Sequence, residues 1–197
     1  MYHHIRILRE YLLDCRKMTK DFLAPQQQRS RATLARLIKA TIDTLETQGL
    51  EGATIPRIAT AAAVAPATVY RRFRNRDALY RVAFLDALEK SAAANRENLR
   101  IESFRDQTLG GIVRSLVHVT MQQYRVQPGL MKALTRFVEN DSDDEFRKRA
   151  LELVSENFEH FIDILLVFKD QIPHQHPRRA IAFALLTMAT VVRKETP

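Results

Sequence analysis

Apolar residues recur along most of the chain at the three- and four-residue spacing of an amphipathic helix. The first clear run covers residues 30–48, where one face carries Leu34, Leu37, Ile38, Thr41, Ile42 and Leu45. Ser30 is predicted as the N-cap of this helix, and Gly49 as the left-handed residue that ends it. The chain contains no two runs of alternating apolar and polar residues joined by a hairpin turn, so no sheet is predicted. The pattern predicts an all-α fold.

Two short helices separated by a tight turn are predicted next, over residues 55–62 and 66–73. Thr54 is a suitable N-cap for the first helix, and Pro66 begins the second where no backbone donor is needed. Val69 and Phe73 lie four residues apart and are expected to face the core. This layout is typical of a helix-turn-helix, whose second helix enters the major groove of DNA.

The remainder of the chain is predicted to form longer helices in an antiparallel bundle. Asn75 is expected to be the N-cap of a helix over 76–100, and further helices follow over 104–126, 129–139, 143–169 and 177–194. The acidic residues before the 143–169 helix are assigned capping and helix-dipole roles. They are Asp141, Asp143, Asp144 and Glu145.

The sequence predicts three segments: an N-terminal extension (1–28), a helix-turn-helix domain (29–85) and a helical domain (86–197). Residues 1–24 have the pattern of a basic amphipathic helix, which Pro25 and a run of glutamines interrupt. The extension is either an additional helix or, if Met18 is the natural initiator, an incorrectly assigned start.

The net charge of +8 lies entirely in the first part of the chain. Residues 1–85 contain 15 Lys and Arg against 7 Asp and Glu, whereas the remainder contains 16 of each kind. A basic segment beside a neutral one favours a module that binds a polyanion, joined to a module with another role. The competing interpretation is a solvated face on which cations cluster by chance.

Other residue types narrow the function further. Cys15 is the single cysteine, which fits a reducing cytoplasm. The N-terminus lacks the unbroken apolar segment of a signal peptide, and no apolar run is long enough to span a membrane. His174 and His176 lack a third metal ligand, and no phosphate-binding glycine loop or nucleophile motif is present. We expect a cytoplasmic protein with no catalytic residues, metal or cofactor.

The helix-turn-helix region resembles the N-terminal DNA-binding domain of the TetR family of bacterial transcriptional repressors. The resemblance extends over residues 31–84, and its most specific positions are Thr54, Ile55, Ile58, Ala59, Ala62, Val64, Tyr70, Phe73, Arg76 and Leu79. The family prefers Gly where Ala63 stands, Ser where Ala65 stands and His where Arg72 stands. An alanine held at a positive φ costs about 1 kcal/mol.

The resemblance implies a homodimer that binds a DNA operator and responds to a small-molecule effector. In the family, the last two helices of each subunit pair in a four-helix dimer interface. Because the chain ends soon after Lys194, one of those helices is expected to be missing or rearranged. The apolar run 180–189 is the candidate dimer helix, and the alternative is a central core helix of the monomer.

Cations and neutral donors around the turn are candidate DNA contacts. The phosphate candidates are Thr54, Arg57, Tyr70, Arg71, Arg74 and Arg76. The candidates for reading base edges are Pro66, Ala67 and Thr68, with either Arg71 or Arg72. The candidate walls of an effector pocket are Ile112, Leu116, Met121, Tyr124, Met131, Phe137, Phe161 and Leu165.

The main prediction is a ligand-responsive repressor that binds a palindromic operator as a dimer. One alternative is a helical small-molecule-binding protein or enzyme with an incidental basic N-terminus. Another is a membrane-surface binder that acts through residues 1–24. Salt-dependent binding to duplex DNA distinguishes the first from the other two.

Overall fold

The computed structural model describes residues 28–104 and 107–195, which form helices and turns without an extended strand. The α-helices of this part, in order, are α1 (Gln28–Gly52), α2 (Ile55–Ala61), α3 (Pro66–Tyr70), α4 (Arg76–Asn98), α5 (Leu109–Val126), α6 (Pro128–Asn140), α7 (Asp144–Leu166) and α8 (Pro177–Glu195). Two 3-10 helices lie at Ile101–Phe104 and Lys169–Gln171. The all-α prediction is confirmed. The predicted helix over 1–24 and the candidate start at Met18 lie outside the described residues.

The two ends of α1 differ in how well the sequence predicted them. Gly49 has a φ of 65° and interrupts the regular helix, as expected of a left-handed terminal residue. The prediction of Ser30 as N-cap is wrong, because α1 is already helical at Gln28. The Ser30 hydroxyl instead accepts a hydrogen bond from Arg72.

The later helices begin and end within a few residues of their predicted limits, and α5 differs most. It begins at Leu109 instead of residue 104, because Ile101–Phe104 forms a separate 3-10 helix. Thr108 is the N-cap of α5, and its Oγ1 accepts from the backbone N of Gly111 at 3.2 Å. Asp143 caps α7 in the predicted way, since its Oδ1 accepts from the backbone N of Phe146 at 2.8 Å.

The chain divides into two compact units. The described part of the first unit comprises residues 28–87 and Gly129–Ala150, so most of α6 and the start of α7 belong to the same unit as the helix-turn-helix. The second comprises Leu88–Pro128 and residues 151–195. The core of the second unit includes side chains from α5, α7 and α8, among them Ile112, Leu116, Phe161, Leu165, Ile181 and Leu185.

Polar contacts join α6 to earlier helices within the first unit. Glu46 of α1 accepts from the backbone N of Leu130 at 2.7 Å, which satisfies a free donor at the start of α6. Arg81 of α4 donates to both carboxylate oxygens of Asp141, at 2.6 and 2.5 Å. This hydrogen bonding raises the pKa of Arg81. The first unit is thus held together by paired charges as well as by apolar burial.

Candidate nucleic-acid interface

The turn between α2 and α3 is formed by Ala63, Val64 and Ala65. Ala63 has a φ of 53°, a conformation for which glycine is the usual residue. The backbone N of Val64 donates to the carbonyl of Ala59 at 2.9 Å, and Ala65 is extended before Pro66 begins α3. The turn therefore has the backbone geometry of a tight helix-turn-helix despite the absence of glycine.

The helices on either side of the turn lack side-chain caps. Thr54 occupies the N-cap position of α2, as predicted, but its side chain makes no capping hydrogen bond. Ala65 occupies the same position in α3 and has no group to cap with. Both helices instead have a proline in the first turn, where the missing backbone donor leaves no partner unsatisfied.

Helix α3 is shorter than predicted and ends at Tyr70 instead of residue 73. It cannot extend far, because α4 begins at Arg76 and Asn75 already caps α4. The Asn75 Oδ1 accepts from the backbone N of Ala78 at 2.8 Å, as the sequence predicted. The residues between the two helices form a turn that returns the chain to the core.

One side of this segment faces the core and the other faces solvent. Val69 and Phe73 are completely buried, which confirms their predicted orientation. Tyr70 is 58% exposed. We define the α3 surface as the predicted contact residues of α3 and its C-cap that reach solvent. They are Pro66, Ala67, Thr68, Tyr70 and Arg71, of which Thr68 is half-buried and the others are exposed.

The predicted cations near the α3 surface have different local partners. The Arg71 Nη2 lies 3.4 Å from the Thr68 Oγ1, one turn earlier. Arg57 donates to the Gly52 carbonyl at 3.1 Å, so its guanidinium is held at the end of α1. The Arg76 guanidinium lies 5.4 Å from the centre of the Tyr80 ring. Arg74 is exposed. These side chains remain candidates for phosphate contact.

Arg72 differs from the other predicted contacts because it is turned towards α1. Its Nη2 donates to the Ser30 Oγ at 2.6 Å, and its side chain is partly buried. Desolvation by this burial, followed by the charge of Arg71, lowers the pKa of Arg72. The geometry gives no support to Arg72 as a reader of base edges. Ser30 was missed as a partner because a contact between residues 42 positions apart has no local sequence signal.

The predicted effector walls do not form a single group. Ile112, Leu116, Phe161 and Leu165 are buried together in the core of the second unit. Phe137 instead belongs to the first unit, where its ring lies 5.3 Å from Phe84 between ring centres. Met131 also lies in the first unit, and Met121 and Tyr124 are half-buried in the second. The helical spacing of apolar residues could not show which of them belong to the first unit and which to the second, because the cores of both units are apolar.

An open polar groove of about 500 Å³ lies in the second unit and was not predicted. Its lining residues are Arg96, Glu152, Ser155, Glu156, Glu159, His160 and Asp163. His160 makes a hydrogen bond of 3.0 Å to the carbonyl of Leu99. The recurrence of carboxylates every three or four residues along α7 was the available sequence signal, since it places them on one helix face.

Two further features bear on the predicted partners. Within residues 28–104 and 107–195, no three His, Cys, Asp or Glu side chains are grouped as a metal site would require. None of the helices described there is both long and apolar enough to cross a bilayer.

Comparison with known proteins identifies the helix-turn-helix. Residues 37–83 match the family model "Bacterial regulatory proteins, tetR family". The chain has no match among curated proteins. The matched segment contains α2, α3 and the turn between them, so it coincides with the site described above.

The fold is similar to that of several solved regulators. The FadR transcriptional regulator of Bacillus subtilis, solved with stearoyl-CoA, has a TM-score of 0.61 and 18% identity, covering 81% of this chain and 85% of that chain. The fatty acid degradation regulator FadR of Bacillus halodurans has a TM-score of 0.60 with the same identity and coverage. NalD of Pseudomonas aeruginosa, the secondary repressor of the MexAB-OprM efflux pump, has a TM-score of 0.51 and 21% identity, with 85% of each chain covered. The resemblance predicted from the sequence is confirmed.

Proposed function

We propose that this chain, a transcriptional regulator of the TetR family, binds a palindromic DNA operator as a homodimer and releases it when a small molecule binds. The α3 surface is the observation that carries this proposal. Val69 and Phe73 fix one side of the segment in the core, and the opposite side presents small residues beside Arg71. Such a surface can approach base pairs closely while cations nearby contact phosphates.

The residues at the interface have two roles in this proposal. Pro66, Ala67, Thr68 and Arg71 read base edges, because small side chains fit against a thymine methyl and a guanidinium can pair with guanine. The phosphate contacts come from Thr54, Arg57, Tyr70, Arg74 and Arg76. Phosphate contacts fix the register of the domain, and base contacts select the sequence.

The exposed face of α8 supports the dimer. Phe183 is 74% exposed, Leu186 59% and Val191 53%, and their spacing puts them on one side of the helix. Ile181 and Leu185 lie on the other side and are buried in the core of the second unit. The run 180–189 therefore contributes to the monomer core and retains an apolar face. A second copy of the chain is the proposed occupant of that face.

The effector is proposed to bind within the second unit, where the apolar side chains from α5, α7 and α8 converge. A ligand can regulate DNA binding only if it binds one conformation of this unit more tightly than another. Stearoyl-CoA, which was solved with the structurally similar FadR of Bacillus subtilis, is the first compound to test. No catalytic step is proposed, and the protein is expected to act in the cytoplasm.

A salt titration of DNA binding tests the proposal. A duplex is first selected from a random-sequence library with the unaltered chain, and its affinity is then measured by fluorescence anisotropy from 50 to 300 mM salt. In Arg74→Met, the slope of log K against log salt is expected to flatten by about 0.9 per protomer. Arg71→Met is expected to relax the sequence preference.

The matched control is Arg114→Met, because Arg114 is an exposed cation of α5 in the second unit. This control should leave both slope and sequence preference unchanged. Failure to select any duplex at low salt would reject the DNA-binding proposal. Stearoyl-CoA binding without any duplex binding would favour the alternative of a small-molecule-binding protein.

A further inference from the structure

The two adjacent arginines after α3 lie in different surroundings. Arg71 is exposed and contacts Thr68 within its own helical segment. Arg72 is partly buried, and its guanidinium donates to the Ser30 hydroxyl of α1 at 2.6 Å. Neighbouring cations of the same type therefore differ in whether they reach solvent or another helix.

The recognition helix has few restraints of its own. It contains five residues, and its N-cap is an alanine that makes no side-chain hydrogen bond. A helix of this length is unstable in isolation, so its direction must be set by contacts with the rest of the domain. Val69 and Phe73 hold the segment to the core, but apolar contacts are not directional. A hydrogen bond at one end supplies a direction that they do not.

The Ser30 contact is suited to that task. Ser30 lies in the first described turn of α1, and the regular part of α1 before Gly49 buries Leu34, Leu37 and Leu45. The hydroxyl is thus attached to a well-packed element. The bond is charge-assisted, because its donor is a guanidinium.

We propose that Arg72 is a positioning residue, which holds the recognition helix to α1 through Ser30 and leaves DNA contact to Arg71. The inference rests on the proposed DNA-binding function. It assigns the arginine at the position where the TetR family commonly has histidine to a structural link between α3 and α1. It also gives Ser30 an effect on DNA binding without contact with DNA.

The test uses the full chain, the duplex selected above, four single variants and one double variant. Ser30→Ala removes the acceptor, and Ser30→Thr retains it. Arg72→Met removes both donor and charge while it retains an apolar side chain of similar length. Thr33→Ala is the matched control, because the Thr33 hydroxyl bonds only the Arg29 carbonyl of its own helix among the contacts described. Circular dichroism establishes that each variant is folded at the temperature of measurement.

Ser30→Ala is expected to weaken binding of the selected duplex by about three- to tenfold, with an unchanged salt slope. Ser30→Thr should restore binding, and Thr33→Ala should leave it unaltered. Arg72→Met should weaken specific binding to a similar extent, with a slope change well below the 0.9 or so of a lost phosphate contact. In the double variant Ser30→Ala/Arg72→Met, the loss should be no greater than in Arg72→Met alone, because both changes break the same link.

Two results would overturn the inference. One is a salt slope in Arg72→Met that flattens as much as in Arg74→Met, which would make Arg72 a phosphate contact. The other is full duplex affinity in Ser30→Ala, which would show that the hydrogen bond does not position α3. If the unaltered chain selects no duplex, the proposed function itself fails, and that outcome is distinct from both.

Discussion

Ala63 is the only residue other than glycine that has a positive φ within residues 28–104 and 107–195. Its side chain is exposed, so no packing contact requires an alanine here. A left-handed conformation places Cβ too close to the backbone, whereas glycine adopts it without that repulsion. The turn of the helix-turn-helix therefore retains local strain that a single substitution can relieve.

The first prediction is that Ala63→Gly stabilises the protein. Relief of the strained φ outweighs the larger unfolded-state entropy of glycine, and the free energy of unfolding should rise by about 0.5–1 kcal/mol. Urea denaturation followed by circular dichroism measures the change.

Ala61→Gly is the control for this prediction, because Ala61 is exposed and lies in regular α2 geometry only two residues away. Glycine at a helical position should lower the free energy of unfolding by about 0.5–1 kcal/mol. The strain argument is wrong if both substitutions destabilise to the same extent.

Tyr80 is a buried residue whose hydroxyl supports the loop before α2. Its single proton is shared between the carbonyls of Ala53 at 2.5 Å and Leu50 at 3.1 Å. Burial raises the pKa of Tyr80 to about 12, against 10.0 for an unperturbed tyrosine, although the nearby Arg76 acts in the opposite direction. The folded state therefore binds the phenolic proton more tightly than the unfolded state does.

The second prediction concerns the pH dependence that follows. The stabilisation from Tyr80 is complete below pH 10 and is lost as the pH rises towards 12, because only the unfolded state releases the proton in that window. At pH 8, Tyr80→Phe should lower the free energy of unfolding by about 1–3 kcal/mol, since two carbonyls lose their donor.

The advantage of the unaltered protein over Tyr80→Phe should shrink between pH 10 and 11.5 by roughly 1.4 kcal/mol per pH unit at most. Denaturation of both proteins at each pH in this range measures the difference between their free energies of unfolding. The titration of other groups cancels in that difference, because both proteins contain them. A constant difference would mean that Tyr80 titrates alike in the folded and unfolded states.

Among the helices, α6 makes an unusually close approach to α1. A Cβ added to Gly129 would lie 2.0 Å from the carbonyl oxygen of Glu46, which is backbone and cannot rotate away. The Glu46 side chain also caps the start of α6 through Leu130. The two contacts fix the first turn of α6 against the end of α1 within the first unit.

The third prediction is that Gly129→Ala destabilises the protein. The added methyl must separate α6 from α1, so we expect a loss of about 2–3 kcal/mol, typical of overpacking. Gly110→Ala is the matched control, because a Cβ at Gly110 in the first turns of α5 meets nothing within 4 Å. This control should be neutral or stabilising by up to about 1 kcal/mol. Equal losses in both variants would refute the close-contact argument.

The limits of the helices were predictable where local chemistry determines them. Gly49 interrupted α1 at a positive φ and Asn75 capped α4 as expected, because a positive φ and a side-chain cap depend on the residue itself. Ser30 was misassigned because α1 begins before it. Its partner Arg72 is distant in sequence, so only the tertiary structure reveals the hydrogen bond.

In the candidate interface, too, the features set by local sequence were predictable and those set by tertiary structure were not. The buried side of α3 was predictable from the spacing of Val69 and Phe73, and the exposed side followed from it. The partners of Arg57 and Arg72 were not, because each partner belongs to another helix. The contact between Arg76 and Tyr80 is local, since the two residues lie four apart in α4. Apolar spacing likewise could not assign Phe137 to the first unit and Ile112 to the second.

For the molecule as a whole, the oligomeric state decides how well DNA can be bound. One short recognition helix makes few base contacts, each worth about 1–3 kcal/mol, so a single copy discriminates weakly. Two linked copies bind two half-sites at once and gain from their effective concentration. The exposed apolar side chains of α8 are available for this link without loss of the buried contacts on its opposite side.

The fourth prediction is that Phe183→Glu and Leu186→Glu convert a dimer into a monomer. Each substitution places a carboxylate in the proposed interface, where it would be desolvated without a partner. Sedimentation equilibrium at low micromolar concentration should give twice the chain mass for the unaltered protein and a single chain mass for the variants. Affinity for the selected duplex should fall by about 10²–10⁴-fold, because each half-site is then bound independently.

Val126→Glu is the control, since Val126 is 71% exposed at the end of α5 and lies outside the proposed interface. A change there adds the same charge at another exposed apolar position, so it separates a specific interface from a general effect on solubility. If the charged α8 variants keep the mass of the unaltered chain, the apolar face of α8 does not mediate dimerisation. If Val126→Glu also dissociates the dimer, the interface is not confined to the apolar face of α8.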